Sequence, residues 1–562
     1  MTLKLFSILI SFLFLSIPVF AETWFVDPGN SHGATWNGTN GAAYSDDGLT
    51  GKGAQTLQYV IWGTNGSDGA ASAGDTIYLR SGTYTESYGS TAAMEIGSKL
   101  NAASWEAATT ISSYPGEWAI LSATTDDDYV FGCLEFDSLG TSGLDRTYIV
   151  IERLGITGGK YGGIGIRTGP VKIRYCHIYD CALASSANVA GIALRRPMGC
   201  VIEYCLFGDN GGFATDNPAH IMMYADYNYS TGTFTPTHCN RDNEIAYCYF
   251  HGDAYNGIHD KAAQFLANYD EASPTDQHGP GSITDLTYQA NGNKYHHNIF
   301  DGTCNQAIYA TQFFEQIYNN IADDSRIGFP PGASTERPMF YVCMYNNTVL
   351  NDLLIMDSGY SRHEDAFKPC GFFVNNLAEV GPSSGDRLAF GLWYRYSTGA
   401  SPAVGACNAS DFDWTGTTVD RNFIHSPGLS DHYGMPNGYS CNSLTTAEFN
   451  AARGTTNYTN STAGLWASTY VPSGSFVIGS TTIAEGGYNA AHPYLSGVTI
   501  PSYVGAVNPS DSDWVAGVLA LDVTYFTSAT AGSDPSWIEG SGSSPSTPTI
   551  RSGSIVNGGL RP

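Results

Sequence analysis

A short motif, an aromatic residue or Asn followed by Cys or Asn, recurs along most of this chain and constrains its fold more than any other feature. The copies lie beside short β-branched or aromatic runs. They are Tyr175-Cys176-His177, Tyr204-Cys205-Leu206, Tyr247-Cys248-Tyr249, His296-His297-Asn298, Tyr318-Asn319-Asn320, Tyr345-Asn346-Asn347 and Val374-Asn375-Asn376. An earlier unit, residues 149–154, aligns Arg153 with Tyr175. We call Arg153 and the first residue of each copy the anchors of the repeat. Successive anchors are 22, 29, 43, 49, 22, 27 and 29 residues apart.

A period in the twenties, with short strands and Asn-rich turns, predicts a β-solenoid. Asparagine suits such turns because it tolerates the left-handed backbone conformation, and stacked amides can hydrogen-bond along a ladder. Cys176, Cys205 and Cys248 share one position of the motif, so we expect a column of small buried residues there. The sequence has no Cys-x-x-Cys pair and gives no support for a structural zinc site.

Composition narrows the class of protein further. Charged residues make up only 14% of the chain and glycine is abundant, with 65 residues, which argues against an all-helical fold. An apolar content of 42% is enough for a large core and argues against disorder. The chain has 25 basic and 52 acidic residues, a net charge of −27, so we expect no nucleic-acid partner.

The opening of the chain is similar to that of a known superfamily. The matching stretches are Trp24-Phe25-Val26-Asp27-Pro28, Thr56-Leu57-Gln58-Tyr59-Val60 and the run from Gly74 to Tyr84. They resemble the first coil of right-handed parallel β-helix proteins of the pectate-lyase-like superfamily. The resemblance implies an all-β, right-handed parallel β-helix solenoid with inserted loops over residues 22–525, and we expect a short capping helix at Thr56–Trp62. It concerns the fold and not the function, since lyases, hydrolases and non-catalytic surface proteins share this opening.

Both ends of the chain differ from the repeats. Residues 1–21 have one lysine before a nearly continuous apolar run and predict a secretory signal peptide. A single membrane anchor is the alternative, for which the run is short. We therefore expect a secreted, periplasmic or cell-surface protein. Residues 381–470 lack clear repeats, apart from a helical turn expected at residues 445–449, and the Ser-, Gly- and Pro-rich residues 526–562 predict a flexible tail.

Two of the anchor spacings, 43 and 49, are long enough to hold inserted loops. The insertions are expected at about residues 208–245 and 262–294, on neighbouring coils. A solenoid usually carries such insertions on one side, where they wall a groove. Counted from about Asn210 through Asn298, this window also holds seven of the thirteen histidines, namely His220, His238, His251, His259, His278, His296 and His297. We expect a functional site here; surface loops without a function are the alternative.

A column of isoleucines locates that site on a second strand of each coil. Ile164, Ile192, Ile221, Ile258 and Ile308 align as inward residues, so residues one and three positions later face outward. One position later stand Gly165, Ala193, Met222, His259 and Tyr309, and three later stand Arg167, Arg195, Tyr224, Lys261 and Thr311. A stripe of Arg167, Arg195 and Lys261, with Tyr224 beside it, suits an anionic polysaccharide, because guanidinium groups bind carboxylates and aromatic rings stack on sugars. Alternatively, Arg167 and Arg195 pair with carboxylates elsewhere.

Lys261 is the candidate catalytic base. β-Elimination of a uronate needs a base for the acidified C–H, neutralisation of the carboxylate and an acid for the leaving oxygen. Ile258-His259-Asp260-Lys261 resembles the lysine-bearing strand of alginate and chondroitin lyases of this fold, which implies Lys261 as the base and an Arg on the next coil as the acid. Thr311 stands where that Arg is expected. The acid role is then open among His259, Tyr309, His296 and His297. The expected substrate-binding residues are Arg167, Arg195, Tyr224, His296 and His297.

The first functional hypothesis is a secreted, monomeric lyase that cleaves an anionic, uronate-containing polysaccharide, with no stable membrane insertion. A glycoside hydrolase on the same scaffold and a non-catalytic glycan-binding or cell-surface β-helix are the alternatives. The candidate hydrolase carboxylate pairs are Asp253 with Asp260, and Glu315 with Asp323 or Asp324. No definite cofactor is expected. The clusters Asp126–Asp128, Asp323–Asp324 and Asp411 with Asp413 leave Ca²⁺ binding open, although none has the spacing of a calcium loop.

Overall fold

The computed structural model describes the chain in segments, to which all structural statements below refer. These are residues 21–28, 39–46, 49–63, 71–85, 92–95, 100–124, 128–133, 148–166, 169–182, 189–195, 197–211, 218–224, 242–252, 254–260, 293–302, 304–310, 315–328, 340–351, 354–357, 370–379, 390–393, 418–425, 433–434, 445–453, 456–460, 466–472, 477–478, 481–482, 500–501, 503–508, 512–529 and 534–537. The expected signal peptide and the expected tail beyond residue 537 lie outside them.

Three long parallel sheets form the body of the protein. Each coil of the chain adds one strand to sheet A, one to sheet B and one to sheet C, and the next coil repeats this order. Neighbouring strands therefore come from consecutive coils and pair in parallel, as Ile151 does with Ile173 in sheet A and Ile156 with Ile178 in sheet B. This topology is that of a parallel β-helix, so the predicted fold class is confirmed.

The strands are numbered in chain order. Sheet A consists of β1 (Thr23–Val26), β2 (Ala43–Asp46), β3 (Leu49–Ala54), β4 (Thr76–Leu79), β7 (Thr109–Ser113), β10 (Ile149–Glu152), β13 (Val171–Arg174), β16 (Val201–Glu203), β19 (Glu244–Ala246), β22 (Lys294–His296), β25 (Gln316–Tyr318), β28 (Phe340–Tyr345), β31 (Cys370–Val374) and β34 (Thr418–Asp420). Sheet B consists of β5 (Gly82–Tyr84), β8 (Ala119–Ala123), β11 (Leu154–Gly158), β14 (His177–Cys181), β17 (Leu206–Gly208), β20 (Tyr249–His251), β23 (Ile299–Asp301), β26 (Ile321–Asp323), β29 (Thr348–Leu350), β32 (Leu377–Glu379), β35 (Phe423–His425) and β37 (Tyr458–Asn460).

Sheet C consists of β6 (Ala92–Glu95), β9 (Tyr129–Cys133), β12 (Gly162–Ile166), β15 (Ala190–Arg195), β18 (Ala219–Tyr224), β21 (Ala254–Asp260), β24 (Cys304–Tyr309), β27 (Arg326–Gly328), β30 (Leu354–Asp357), β33 (Phe390–Trp393) and β36 (Tyr433–Gly434). Two short hairpins are separate from the coils: β38 (Trp466–Ser468) with β39 (Val471–Pro472), and β40 (Val477–Ile478) with β41 (Thr481–Thr482). The helices are α1 (Leu57–Trp62), α2 (Thr446–Arg453), α3 (Asp513–Leu519) and α4 (Val523–Ser528).

The predicted column of isoleucines lies inside the coil, in sheet C. Ile164, Ile192, Ile221, Ile258 and Ile308 pair in register from β12 to β24, and each is fully buried. Burial of one such side chain contributes about 1.5–3 kcal/mol relative to exposure. The alternation read from the sequence therefore assigns the inward positions of these strands correctly.

The turn from sheet A to sheet B, which we call the A–B corner, has one or two residues in every coil from β10 onwards. Its first residue is in the left-handed conformation, with φ between 52° and 58°. These residues are Arg153, Tyr175, Tyr204, Tyr247, His297, Asn319, Asn346, Asn375 and Arg421. Tyr247 is thus equivalent to His297, and the alignment of Tyr247 with His296 is wrong by one residue. The reason is that the aromatic residue occupies the turn itself in the earlier coils and mostly precedes it in the later ones.

The second turn residue builds one continuous column along the A–B corner. In the later coils it is an amide ladder, in which Nδ2 of Asn320 donates to Oδ1 of Asn347 (3.1 Å) and Nδ2 of Asn347 donates to Oδ1 of Asn376 (3.0 Å). Asn450 of α2 accepts the last bond of the ladder, from Asn457. In the earlier coils Cys176, Cys205 and Cys248 occupy the column as fully buried free thiols, as predicted.

The described residues of the C-terminal segment (500–501, 503–508, 512–529 and 534–537) pack against this corner, and the later ones contact earlier coils. Pro501 accepts a hydrogen bond from Asn375 (2.7 Å), Trp514 packs edge-on against His297, and Trp537 packs against Tyr247 and Tyr204. The expected boundary at residue 525 therefore falls inside α4, where Phe526 is fully buried. Apolar residues in this Ser- and Gly-rich stretch explain the difference, because they bury the outer rings of the turns.

Two other expectations concern the ends of the solenoid. The predicted capping helix exists as α1, which begins at the N-cap Thr56, whose hydroxyl accepts the Tyr59 N–H. The predicted helical turn exists as α2. The region 381–470 is more regular than expected, since β34, β35 and β37 continue the coils and Asn422 and Asn457 continue the ladder. Among the described residues, no helix is long and apolar enough to cross a membrane.

Candidate functional site

The long insertions leave the coil at one corner, between sheet C and the next strand of sheet A, which we call the C–A corner. Residues 225–243 connect β18 to β19, and residues 261–293 connect β21 to β22. Because β18 and β21 are paired neighbours, both connections start at the same edge of sheet C. The first expected insertion, residues 208–245, contains the regular strand β18, so its extra residues are confined to the part after Tyr224.

A second, shorter ladder holds these connections where they rejoin the coil. Nδ2 of Asn243 donates to Oδ1 of Asn293 (3.0 Å), and the N–H of Cys200 donates to Oδ1 of Asn243 (3.0 Å). Each of these residues stands directly before a strand of sheet A, and all three are buried. The coil is therefore fixed at this corner independently of the length of the chain between the strands.

The histidine-rich window does not form one cluster. His220 points into the coil between Phe207 and Phe250, and burial lowers its pKa to about 3. His251 lies on sheet B, and His238 and His278 lie outside the described residues. The position of a histidine in this window does not indicate on which sheet, or on which face of it, the side chain lies, because the window contains strands of all three sheets.

His296 and His297 lie at the A–B corner and do not share the outer face of sheet C. Nε2 of His296 contacts Glu244 at 3.0 Å, and its Nδ1 lies 2.8 Å from Nδ1 of His297. Burial acts to raise the pKa of Glu244, but the hydrogen bond and charge of His296 lower it to about 2. Both histidines are 6% exposed, and His297 lies under Trp514. We therefore leave them out of the candidate site.

Of the predicted site residues, the structure brings His259 and Tyr309 together. They follow Ile258 and Ile308 directly and are register partners on β21 and β24. Met222 is the partner of His259 on the other side. Tyr309 is partly exposed, whereas Met222, Ala190 and Ala219 form a buried apolar cluster on β15 and β18. In the register row that contains Met222, His259 and Tyr309, the residues are apolar up to Met222 on β18 and polar from His259 on β21.

The cationic stripe is described only in part. Arg195 and Tyr224 are register partners at the ends of β15 and β18, as predicted. Lys261 directly follows the last residue of β21, and it lies outside the described residues, as does Arg167. The roles assigned to these residues from the sequence stay predictions.

A row of polar residues that the sequence did not predict crosses three strands of sheet C. Asn256, Gln306 and Arg326 are register partners on β21, β24 and β27. Gly257, next to Asn256, faces inward, since a Cβ there would lie 2.4 Å from Cε1 of Phe300. Ile327, next to Arg326, is fully buried, so alternation turns Arg326 outward. An arginine directly before a core isoleucine is the signal that could have found this row.

A metal site has no donor cluster in the described parts of the chain, where no group of three or more His, Cys, Asp or Glu side chains could hold an ion. Of the acidic clusters considered from the sequence, Asp323 accepts from Asn351 (3.2 Å) and Tyr470 (3.1 Å). Its carboxylate thus has protein partners. Glu315, a candidate for a hydrolase pair, is fully buried and faces Tyr295.

Solved structures similar to this chain include polysaccharide lyases. Pectate lyase Pel9A is 11% identical, with a TM-score of 0.39, over 87% of this chain and 96% of its own. The alginate lyase AlyGC of family PL6 is 11% identical, with a TM-score of 0.32, over 68% of this chain and 54% of its own. The PL6 lyase Pedsa3628 from Pseudopedobacter saltans is 12% identical, with a TM-score of 0.34, over 72% of this chain and 92% of its own.

These likenesses concern the fold alone, because folds of this kind carry several chemistries. This chain matches about half the length of AlyGC. No family model matches the sequence, and no curated protein matches it. A pectate lyase is thus among the solved structures to which this chain is similar, as the resemblance of the opening residues led us to expect.

Proposed function

We propose that this protein is a secreted polysaccharide lyase that cleaves a uronate-containing glycan by β-elimination on the outer face of sheet C. One observation carries the proposal: His259 and Tyr309 are register partners on β21 and β24, at the strand edge where residues 225–243 and 261–293 leave the coil. The fold similarity to pectate and alginate lyases supports the same reaction class.

Lys261 is assigned the role of base. The assignment is supported by sequence position, since Lys261 directly follows β21, and β21 pairs with β24, the strand that ends at Tyr309, at a spacing of ~4.8 Å. In the reaction the neutral amine removes the proton next to the sugar carboxylate, the electron pair forms a carbon–carbon double bond, and the glycosidic oxygen leaves with a proton from an acid. Tyr309 is assigned as that acid, with His259 positioning the sugar.

The test uses the double bond of the product. Purified protein is incubated with alginate, pectate, chondroitin and carrageenan, and both near-ultraviolet absorbance and new reducing ends are measured. We expect equal amounts of unsaturated product and reducing ends on one uronate polymer. Lys261→Ala should reduce turnover by at least ~10²-fold, as for loss of a general base. His259→Ala should cost less.

The outcomes separate the three functional classes. Full activity in Lys261→Ala would refute its role as base. Reducing ends without absorbance would identify a hydrolase, for which Asp260 would be the next residue to replace. Glycan binding without any cleavage would identify a binding protein.

A further inference from the structure

A pair of stacked aromatic side chains lies on the outer face of sheet B. On β14, His177 and Tyr179 flank the fully buried Ile178, so alternation turns both outward. Their ring centroids are 4.3 Å apart, and the angle between the ring planes is 27°. Both side chains are partly exposed, and among the described residues no hydrogen-bond partner reaches either of them. The pair therefore offers a ligand an aromatic surface together with a hydroxyl and an imidazole.

Gly208 leaves a notch beside this pair. It is the register partner of Tyr179 on β17, one strand spacing or ~4.8 Å along the axis. A Cβ at Gly208 would lie 3.5 Å from the nearest atom, the carbonyl oxygen of His251, and 3.9 Å from Nε2 of His177. These are ordinary contact distances, so the position has room for further atoms. The notch therefore opens towards the polar edge of the His177 ring.

The strand on the other side of the notch, β20, supplies a second wall. His251 stands opposite Gly208, one position after the paired phenylalanines of β17 and β20, and its side chain is 61% exposed. It is two strand spacings, or about 10 Å, from Tyr179 along the axis. Asp301, the register partner of His251 on β23, accepts the Tyr249 hydroxyl through Oδ2 (2.7 Å). A carboxylate has further lone pairs, which can accept hydroxyl groups of a ligand.

The charge of this face decides which kind of ligand it suits. The strands of sheet B from β11 to β26 carry no lysine or arginine, whereas Asp180, Asp301 and Asp323 lie on them. Residues 500–537, whose described parts pack beside this face, contain no basic residue either. Burial lowers the pKa of His177 to about 4, so its imidazole is neutral at pH 7. An anionic sugar would therefore be repelled here, while an uncharged sugar can stack on the rings and hydrogen-bond through its hydroxyls.

We propose that the His177–Tyr179 pair and the notch at Gly208 bind a neutral polysaccharide, with one sugar ring stacked on the pair and a hydroxyl bonded to Nε2 of His177. Asp301 lies three strand spacings from Tyr179, about 14 Å along the axis, so its carboxylate meets another sugar of the same chain. The residues proposed for catalysis lie on sheet C. The site on sheet B thus holds the protein on a neutral polymer, and it does not depend on the proposed lyase activity.

Affinity electrophoresis of the full-length protein tests this site. Native gels contain glucomannan, xylan, hydroxyethyl cellulose or laminarin, with alginate as the anionic counterpart. We expect at least one neutral polymer to retard the wild type. Tyr179→Ala should weaken that binding about 10-fold, because the stacking surface is lost. Gly208→Gln should weaken it as much by filling the notch, whereas Tyr179→Phe, which keeps the ring, should lose less.

Tyr78→Ala is the matched control. Tyr78 lies between the inward residues Ile77 and Leu79 of β4, so it is a partly exposed tyrosine on the outer face of another sheet. Its replacement should leave the affinity for the neutral polymer unchanged, and melting temperatures establish that every variant is folded. The proposal is wrong if no neutral polymer retards the wild type, or if Tyr78→Ala and Tyr179→Ala lose the same affinity. It is also wrong if alginate is the polymer whose binding depends on Tyr179.

Turnover of a short, soluble oligouronate separates this site from the proposed catalytic site. Tyr179→Ala should cleave the oligouronate as fast as the wild type while it no longer binds the neutral polymer. If the protein cleaves no uronate but binds a neutral polymer through Tyr179, the site on sheet B stands and the lyase proposal falls. If Tyr179→Ala loses turnover and binding together, the two ligands share one site and the proposal of a separate site falls.

Discussion

The A–B corner and the C–A corner of the same coil differ in almost every respect. The A–B corner is a turn of one or two residues, and the C-terminal segment packs over it. The C–A corner carries connections of very different length, among them residues 225–243 and 261–293. Turns of constant length are thus confined to one corner, and the residues proposed for catalysis lie beside the other.

The A–B corner itself has two solutions for one backbone turn. Its left-handed first residue is strained for a bulky side chain. In the earlier coils Tyr175, Tyr204 and Tyr247 accept that conformation, and their rings stack with centroids 5.3 and 5.5 Å apart. In three later coils Asn319, Asn346 and Asn375 take the same place. The comparison shows that contacts between equivalent residues of successive coils stabilise this turn, and that more than one residue type can make them.

Loss of one ladder amide should have the largest effect. Asn347 donates to the Ile317 carbonyl and to Asn376, and its Oδ1 accepts both the N–H and the Nδ2 of Asn320. Asn347→Leu leaves buried groups unpaired on both sides, and we expect the free energy of unfolding to fall by about 4 kcal/mol. Denaturant titration measures it. Cys205→Ala, at the equivalent turn position, should cost only about 1 kcal/mol; equal losses would contradict the contrast between the two halves.

Shortening the connection at the C–A corner should separate activity from stability. Replacing residues 264–290 by a short Gly/Ser linker keeps Lys261 and Asn293. Because loop closure depends weakly on length, we expect the free energy of unfolding to change by less than about 1 kcal/mol. Turnover should fall by ~10²-fold or more if this connection positions substrate. Cooperative unfolding at a much lower denaturant concentration would show that the connection supports the coil.

Among the cysteines of the A–B corner, we expect asparagine to be tolerated at Cys248, which adjoins the amide ladder, and not at Cys205. The N–H of Cys248 already donates to Oδ1 of Asn298 (3.0 Å), so an amide at this position would find the same acceptor. Cys248→Asn should leave stability unchanged or raise it by up to about 1 kcal/mol. Cys205→Asn would face the Cys248 thiol instead and should destabilise by about 1 kcal/mol. Thermal unfolding of the pair checks the sign, and the same sign in both variants would refute the argument.

At neutral pH the smallest expected effect is a dependence of stability on pH that arises from inside the coil. Burial lowers the pKa of His220 to about 3, whereas an unfolded histidine titrates near its ordinary value of 6.5. Between these values the unfolded chain binds more protons, so stability falls as the pH falls from 6.5 towards 3. One proton corresponds to about 1.4 kcal/mol per pH unit. His220→Gln should reduce the slope of the unfolding free energy against pH by nearly the amount expected for one proton, and His251→Gln, on sheet B, is measured as the control.

The parts of the fold that follow a local pattern could be predicted from the sequence. The isoleucine column from Ile164 to Ile308 and the buried position of Cys205 follow from periodicity and residue size alone. The pairing of His259 with Tyr309 follows from the same column, because register passes from each inner residue to its outer neighbour. These features need no knowledge of contacts between distant parts of the chain.

Other features depend on packing that periodicity does not report. Arg326 stands directly before the inward Ile327. In β21 and β24 an extra inward residue, Gly257 or Ala307, separates the equivalent outer residue from its isoleucine, and β27 has no such residue. Counting a constant number of positions from each isoleucine therefore does not find Arg326. The place of His297 depends on Trp514, more than two hundred residues away. A sequence pattern records which face a residue occupies, and it does not record which later segment covers that face.

The C-terminal segment also has a consequence for the order in which the chain can fold. Each coil pairs with the coil before it, so strands can add one after another as the chain emerges from the ribosome or crosses a membrane pore. The residues that cover Tyr204 and His297 are made only after all those coils. Until Trp514 and Trp537 arrive, a row of aromatic rings faces water, and a partly made or truncated chain is the form most exposed to aggregation.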